Sequence, residues 1–277
     1  MLFAQKSAIV SPIMIIDFHT HVFPHKIALG AMTHLANANG VPYVAPAIVE
    51  SLIEAMDRCA IDKSVVLNVA TKENQHENIL RFAKETDSDR LIAFGSVVPD
   101  SVHALEYVWK ISDEGLKGIK LHPGLLRVDA DDKNIFPVYD LARALNLIVV
   151  FHAGFDFTYP DEMRASPKMI LNVLDNFPGL RIVAAHMGGL HMATEALETL
   201  AGKADLYLDT AFTADPWLDR ATMLKMIQLH GAEKILFGSD FPWHAPSSEL
   251  ELIRSLALTE EEKRLILGEN AKRLLAL

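Results

Sequence analysis

Cysteine is almost missing from this sequence. Cys59 stands alone among 277 residues, so no disulfide can form within one chain, and a fold held without such links fits the reducing cytosol. The residue falls in the helical pattern running from Leu52 to Ala60, where a buried thiol packs as a small apolar group, and it is given no chemical role. Long apolar runs are missing as well. None approaches the roughly 20 residues that cross a bilayer, so no membrane span is expected. Clusters of cations are missing too: 26 Lys and Arg stand against 36 Asp and Glu, for a formal net charge of −10. With nothing to neutralise phosphates, nucleic acid is excluded as an expected partner. A pocket inside an acidic protein can still carry a local positive field, so a small molecule is the expected substrate, with an anionic one left open. Finally, no Gly-rich phosphate loop follows an early strand, which removes the open dinucleotide-binding sheet.

Residues 1–13 lack the leading charge, the apolar stretch and the small-residue cleavage site of a secretory signal. Met14 opens the first apolar run directly. We expect residues 1–13 to be an N-terminal extension, with translation starting naturally at Met14, and residues 14–277 to form one domain.

What is present is a regular alternation. Half of the residues are hydrophobic, and from Met14 onward short β-branched runs alternate with segments of helical periodicity, the pattern of βα units and a parallel sheet. The runs are Ile13 to His19, Ser64 to Ala70, Leu91 to Val98, Leu116 to Leu121, Leu147 to His152, Arg181 to His186, Leu206 to Thr210 and Ile235 to Asp240. Helices are predicted from Ala47 to Ala60, Glu73 to Glu85, Ser101 to Glu114, Phe136 to Leu145, Pro167 to Asn176, His191 to Ala201 and Pro216 to His230. Two more follow the last strand, from Glu249 to Leu256 and from the capping box at Thr259 to about Leu275. Eight such units predict a single-domain α/β protein, a closed (β/α)8 TIM barrel, whose strand-to-helix loops share one face. The long first connection, Val22 to Pro46, is expected to act as a lid, with a short helix about Ala28 to Ala38.

The chemistry gathers at strand ends. In Asp17-Phe18-His19-Thr20-His21 alternate side chains of a strand share a face, so His19 and His21 can close on one ion. The fourth run ends in Lys120 and His122, the fifth in His152, the sixth in His186 and the eighth in Asp240. Singly, each has a plain reading: His152 or His186 as a hydrogen-bonded core histidine, Asp240 as a turn cap. Their coincidence at one end of a barrel, where distant residues meet, is the functional signal.

Five stretches carry a resemblance: Ile16 to Pro24, Gly118-Ile119-Lys120-Leu121-His122-Pro123, Phe151-His152-Ala153-Gly154, Ala185-His186-Met187-Gly188-Gly189 and Leu236 to Pro242. In this order they resemble the amidohydrolase superfamily, and within it the amidohydrolase-related group that includes the aminocarboxymuconate-semialdehyde decarboxylases. The resemblance implies that His19, His21 and His152 bind a metal, that Asp240 is a fourth ligand or near-ligand, and that His186 orients the water and the substrate. Three imidazoles and a carboxylate suit zinc, with manganese, cobalt or iron open. Binuclear members bridge two ions with a carboxylated lysine or a glutamate on the fourth strand; the related group carries no bridge there, so one divalent ion is expected and Lys120 is assigned a charge or hydrogen-bond role. His122 is expected near the ion's ligands or against the substrate.

Around this set, Phe155, Phe157, Arg164 and Trp243 are expected to shape the pocket and Arg127 to pair with a substrate carboxylate. His25, His191 and His244 follow strands and stand within reach of the mouth, whereas His34, His76, His103 and His230 read as surface or packing residues. The expected function is metal-dependent hydrolysis of a small carboxylic ester, lactone or amide through a metal-activated water, with Asp240 moving the proton and His186 holding the water or the oxyanion. The alternative is non-oxidative decarboxylation of an aromatic or unsaturated acid at the same site. A non-catalytic binding barrel is the third reading, and a homo-oligomer stays open.

Overall fold

The computed structural model describes residues 13–203, 206–214 and 216–277; the expected extension, residues 1–12 of it, lies outside them. Eight strands run in chain order: β1 Ile16–Thr20, β2 Lys63–Leu67, β3 Leu91–Phe94, β4 Gly118–Leu121, β5 Ile148–Phe151, β6 Arg181–Ala184, β7 Tyr207–Asp209 and β8 Ile235–Leu236. All pairings are parallel, within β1-β2-β3 and within β4-β5-β6-β7-β8. Bridges Gly95 to Ile119 and Thr20 to Phe241 join the two groups. Lys120 N donates to Gly95 O at 2.9 Å and Phe18 N to Phe237 O at 2.7 Å, so among the described residues no strand edge is left free and the sheet closes as a (β/α)8 barrel.

The strands are shorter than the apolar runs. β8 ends at Leu236, four residues before Asp240, because the chain leaves the extended region: His186 has φ +57° and Asp240 φ +66°, in left-handed backbone that no strand can contain. Both residues are thereby turned inward from loops rather than from strand positions.

Two apolar layers hold the barrel. Ile16, Phe18, Val65, Leu67, Ile92, Phe94, Ile148, Val150 and Val183 fill its interior, closed from below by Ala271, Leu274 and Leu275. Their alternates, among them Val66, Ile119, Leu121, Val149 and Phe151, meet the surrounding helices. In β1 the register shifts between Asp17 and Thr20. Strict alternation would send His19 away from interior Phe18; the shift lets the residue after Phe18 reach the mouth as well.

Helices lie within a few residues of the predicted ones, at Val49–Cys59, His76–Thr86, Ala104–Asp113, Phe136–Ala144, Pro167–Asn176, Ala193–Thr199, Arg220–His230 and Pro246–Ser255. The last one differs. The capping box forms, with Glu262 N donating to Thr259 Oγ1 at 3.2 Å, but the helix is interrupted by a π turn at Leu265–Glu269. There the barrel floor passes so close that a Cβ on Gly268 would stand 1.8 Å from Met14 O. In the first connection the helix is longer than expected, His25–Asn39, and stops at Gly40 with φ +70°, a left-handed stop suited to glycine. Its residues Leu35 and Asn39 border the mouth. Among the described residues no helix is long and apolar enough to cross a membrane.

Candidate metal centre

Three acceptors converge at the barrel mouth. His19 Nε2 and His21 Nε2 are 3.2 Å apart, and Asp240 Oδ1 lies 3.4 Å from the first and 3.2 Å from the second. The far nitrogens explain the orientation. Asp209 Oδ2 accepts from His19 Nδ1 at 2.8 Å and Leu67 O accepts from His21 Nδ1 at 2.8 Å; neither oxygen can donate, so both protons sit on Nδ1 and both Nε2 lone pairs face inward. Two lone pairs and a carboxylate oxygen at this spacing repel unless a cation stands among them. Ligand atoms about 2.0–2.1 Å from a tetrahedral ion lie roughly 3.4 Å from one another, so the group fits a divalent metal. Among the described residues His19, His21 and Asp240 are the group of three that meets this geometry.

His152 stands beside the group. Its Nε2 donates to Phe155 O at 3.0 Å, while His186 Nδ1 donates to Ala211 O at 2.9 Å. The remaining nitrogens, His152 Nδ1 and His186 Nε2, face each other at 3.1 Å, a second pair of lone pairs suited to a proton or a cation. His122 stacks on His152 with ring centres 4.0 Å apart and planes 9° apart. Lys120 Nζ, from inside β4, reaches 3.3 Å from His19 Nε2.

Burial and mutual charge set the protonation. Burial, reinforced by Lys120, holds His19 down to about 4, and burial with His152 holds His186 down to about 3; both rings are neutral at pH 7, as metal ligation requires. Burial lowers Lys120 to about 8 against the pull of Asp209 and Asp240. For Asp240, burial pushes the carboxyl up, but His19 and His21 more than offset it and hold it below the usual carboxylate range.

A cavity of about 120 Å³ opens above these groups. His19, His21, Asn39, Lys120, His122, His152, Asp156, Thr158 and Asp240 supply its polar wall; Phe23, Leu35, Val41, Val69, Leu125, Phe157, Leu190, Phe212 and Trp243 supply the rest. A cavity near this size holds a single aromatic ring.

Several expected pocket residues lie elsewhere. Arg127 ends the unforeseen short helix Pro123–Leu126 with φ +56° and turns outward to Glu162 Oε1 at 2.7 Å. Arg164 pairs with Asp129 and Glu162 at 2.8 and 2.9 Å. Phe155 contributes its carbonyl, its ring stacking on His191 rather than lining the cavity. His186 sits behind His152, outside the lining. His25 pairs with exposed Glu50, and His244 with buried Glu249 at 2.9 Å. Asp209 and Asp17 were not anticipated. Asp209 is fully buried and binds His19 and the backbone of His186; Asp17 takes the N–H and hydroxyl of Ser239 at 2.9 and 2.5 Å. An acidic residue ending the apolar run Leu206 to Leu208 was the available signal for Asp209.

The sequence signature of the family described as Amidohydrolase matches residues 16–277. No curated protein matches the chain by sequence. Solved structures with the same fold include 5-carboxyvanillate decarboxylase from Sphingomonas paucimobilis, at 15% identity and a TM-score of 0.71, covering 96% of this chain and 100% of that one. An uncharacterized TIM-barrel protein from Bordetella bronchiseptica aligns at 21% identity and a TM-score of 0.75, over 95% and 98% of the two chains. A dihydroxybenzoic acid decarboxylase from a Polaromonas species, solved with manganese and the inhibitor 2-nitroresorcinol, aligns at 15% identity and a TM-score of 0.74, over 95% and 97%.

Proposed function

The chain belongs to the amidohydrolase family, and from that premise we propose that it is a metal-dependent decarboxylase that removes the carboxylate of a small aromatic acid as CO₂ without oxidation. One observation carries the reading: a ring-sized, largely apolar cavity of about 120 Å³ has buried Lys120 beside the His19, His21 and Asp240 group. Decarboxylases of aromatic acids among the similar structures support it.

His19, His21 and Asp240 would hold the ion, with His152 Nδ1 as the further donor. Zinc suits this set; manganese, held by one similar structure, is the second ion to test. When bound, a divalent ion supplies Lewis-acid stabilisation of charge on a nearby substrate oxygen. Lys120, 1% exposed, places its cation where the substrate carboxylate enters. The walls of Phe157, Phe212 and Trp243 hold the ring and exclude water. As the bond between ring and carboxylate breaks, its electron pair stays on the ring carbon and CO₂ leaves; Asp240, a carboxylate at rest, takes a proton from solvent and passes it to that carbon. His186 positions His152 from behind. A single cysteine fits a cytosolic setting for this chemistry.

Hydrolysis is the second reading. Its observation is Asp240 itself, held as a carboxylate by His19 and His21, the state a general base needs. Metal-loaded protein should be incubated with carboxyl-labelled hydroxybenzoates in D₂O and, separately, with esters, lactones and amides. Labelled CO₂ with deuterium on the ring carbon is expected. Cleavage of an ester, lactone or amide with no CO₂ from any acid would overturn decarboxylation in favour of hydrolysis.

A further inference from the structure

Phe212, in the loop after β7, holds a backbone that its side chain does not favour. Its φ is +59°, in the left-handed region, where a bulky aromatic residue is an outlier and a glycine would sit at no steric cost. Buried carboxylates pin the chain on both sides of it. Asp209 Oδ1 accepts the Ala211 N–H at 3.1 Å, and Glu249 Oε1 accepts those of Thr213 and Ala214 at 2.8 and 2.9 Å. Glu249 Oε2 takes the Thr213 hydroxyl at 3.1 Å, and His244 Nδ1 stands 2.9 Å from Oε1. Glu249 is fully buried, and neither the metal centre nor the proton path uses it. Strained backbone persists only where its surroundings hold it, and it clusters at active sites and ligand clamps.

The surroundings of the ring show what is held in place. It packs on Trp217 with ring centres 4.6 Å apart and on His244 with centres 5.6 Å apart. It borders the substrate cavity, and it also borders a second cavity of about 30 Å³ whose other walls include His186, Met187, Thr213, Trp217 and Leu218. Among the described residues, Leu190 and Phe212 border both. Phe212 is the bulkier of the two, so withdrawing its ring joins the cavities and lengthens the space in which a ligand lies.

We propose that Phe212 is the specificity-determining partition of the site: held from either side by Asp209 and Glu249, its ring closes the substrate cavity off from the second one and limits the ligand to a single ring. The inference rests on the decarboxylase reading for the aromatic acid, but the size limit is read by binding alone. Calorimetric titration of the metal-loaded protein with benzoate and with 2-naphthoate compares one ring with two fused ones. The wild type should bind benzoate about 10- to 100-fold tighter, the range for forcing extra carbons into a packed site. In Phe212→Gly, which suits the left-handed backbone, the ratio should fall to within about threefold at unchanged metal content. Phe212→Leu keeps an apolar side chain at the position and should give a ratio between the two; should the glycine variant fail to fold, the fall from Phe to Leu carries the test. A wild-type ratio near one, a ratio unchanged by substitution of Phe212, or failure of both acids to bind would overturn the proposal. A Phe212-dependent ratio without CO₂ release from any acid would uphold this inference while removing the decarboxylase reading; CO₂ release from a single-ring acid with a ratio indifferent to Phe212 would do the reverse.

Discussion

Asp209 Oδ2 holds the Nδ1 proton of His19 at 2.8 Å, while its Oδ1 takes the backbone N–H groups of His186 and Ala211 at 2.9 and 3.1 Å. One carboxylate from β7 therefore fixes the tautomer of a metal-facing imidazole and ties down the turn that carries His186. Partners of this kind are worth about 10- to 100-fold in metal affinity. Asp209→Asn should weaken zinc or manganese binding by that factor in a competitive chelator titration. Circular dichroism should stay that of the wild type, and wild-type affinity in the variant would show that His19 is oriented without Asp209.

Asp240 stands where the acceptor group and the cavity meet. His19 and His21 hold it ionised, and its Oδ1 stands 3.4 and 3.2 Å from their Nε2 atoms. Asp240→Asn keeps the shape and removes the titrating oxygen. Turnover on whichever substrate the panel identifies should fall about 10²- to 10⁴-fold, the usual contribution of general acid–base catalysis. Steady-state kinetics checks this, with metal content measured on the same sample; turnover within about threefold of wild type at equal metal content would remove Asp240 from the proton path.

The barrel and its mouth are legible in the sequence because strand burial leaves a simple trace: apolar runs covered on both faces, most of them ending in a polar residue on the same side. His19, His21 and Asp240 meet because of that topology, and Asp209 obeys the same rule at the end of an equally apolar run, with no second ligand-type residue beside it to mark it. Side-chain direction in loops is another matter. Arg127 follows its strand as closely as Trp243 does and Arg164 lies further along the loop after β5, yet both turn outward to Glu162, a choice made by a short helix end and by ion pairs that leave no periodic pattern. The ring orientation of His152 depends likewise on the Phe155 carbonyl three residues along. Left-handed backbone at His186, Met187 and Asp240 is open to aspartate and histidine without any glycine to announce it.

Burial raises Asp17 from 3.8 to about 7, against the hydrogen bonds from Ser239 and His19 that oppose it. Between those two values the folded metal-free protein keeps a proton that the unfolded chain has lost. Its contribution is therefore greatest below the unfolded value and is lost as pH rises through the window, at up to about 1.4 kcal/mol per pH unit. Asp17→Asn cannot titrate. Urea denaturation of both proteins at about pH 5 and about pH 7 should show the wild type gaining stability relative to the variant on acidification. A difference that does not change with pH would contradict the buried, protonated Asp17.

Two glycines separate a packing requirement from a mere tolerance. A Cβ on Gly118 would lie 2.3 Å from Ile148 O and 2.5 Å from the Phe94 ring: β4 and β5 pair at this point, Gly118 opposite Ile148, and the ring fills the barrel interior beside it. Neither neighbour can retreat, because one is ladder backbone and the other is fully buried. Gly118→Ala should cost about 1–3 kcal/mol as an overpacked core site. Gly30 lies within the helix His25–Asn39, with nothing within 4 Å of an added Cβ, so Gly30→Ala should stabilise by about 0.5–1 kcal/mol through helix propensity. Chemical denaturation of the two variants in parallel provides the check. Opposite signs are expected, and a neutral Gly118→Ala would mean that β4 moves away from β5 at little cost, loosening the strand that carries Lys120 into the cavity.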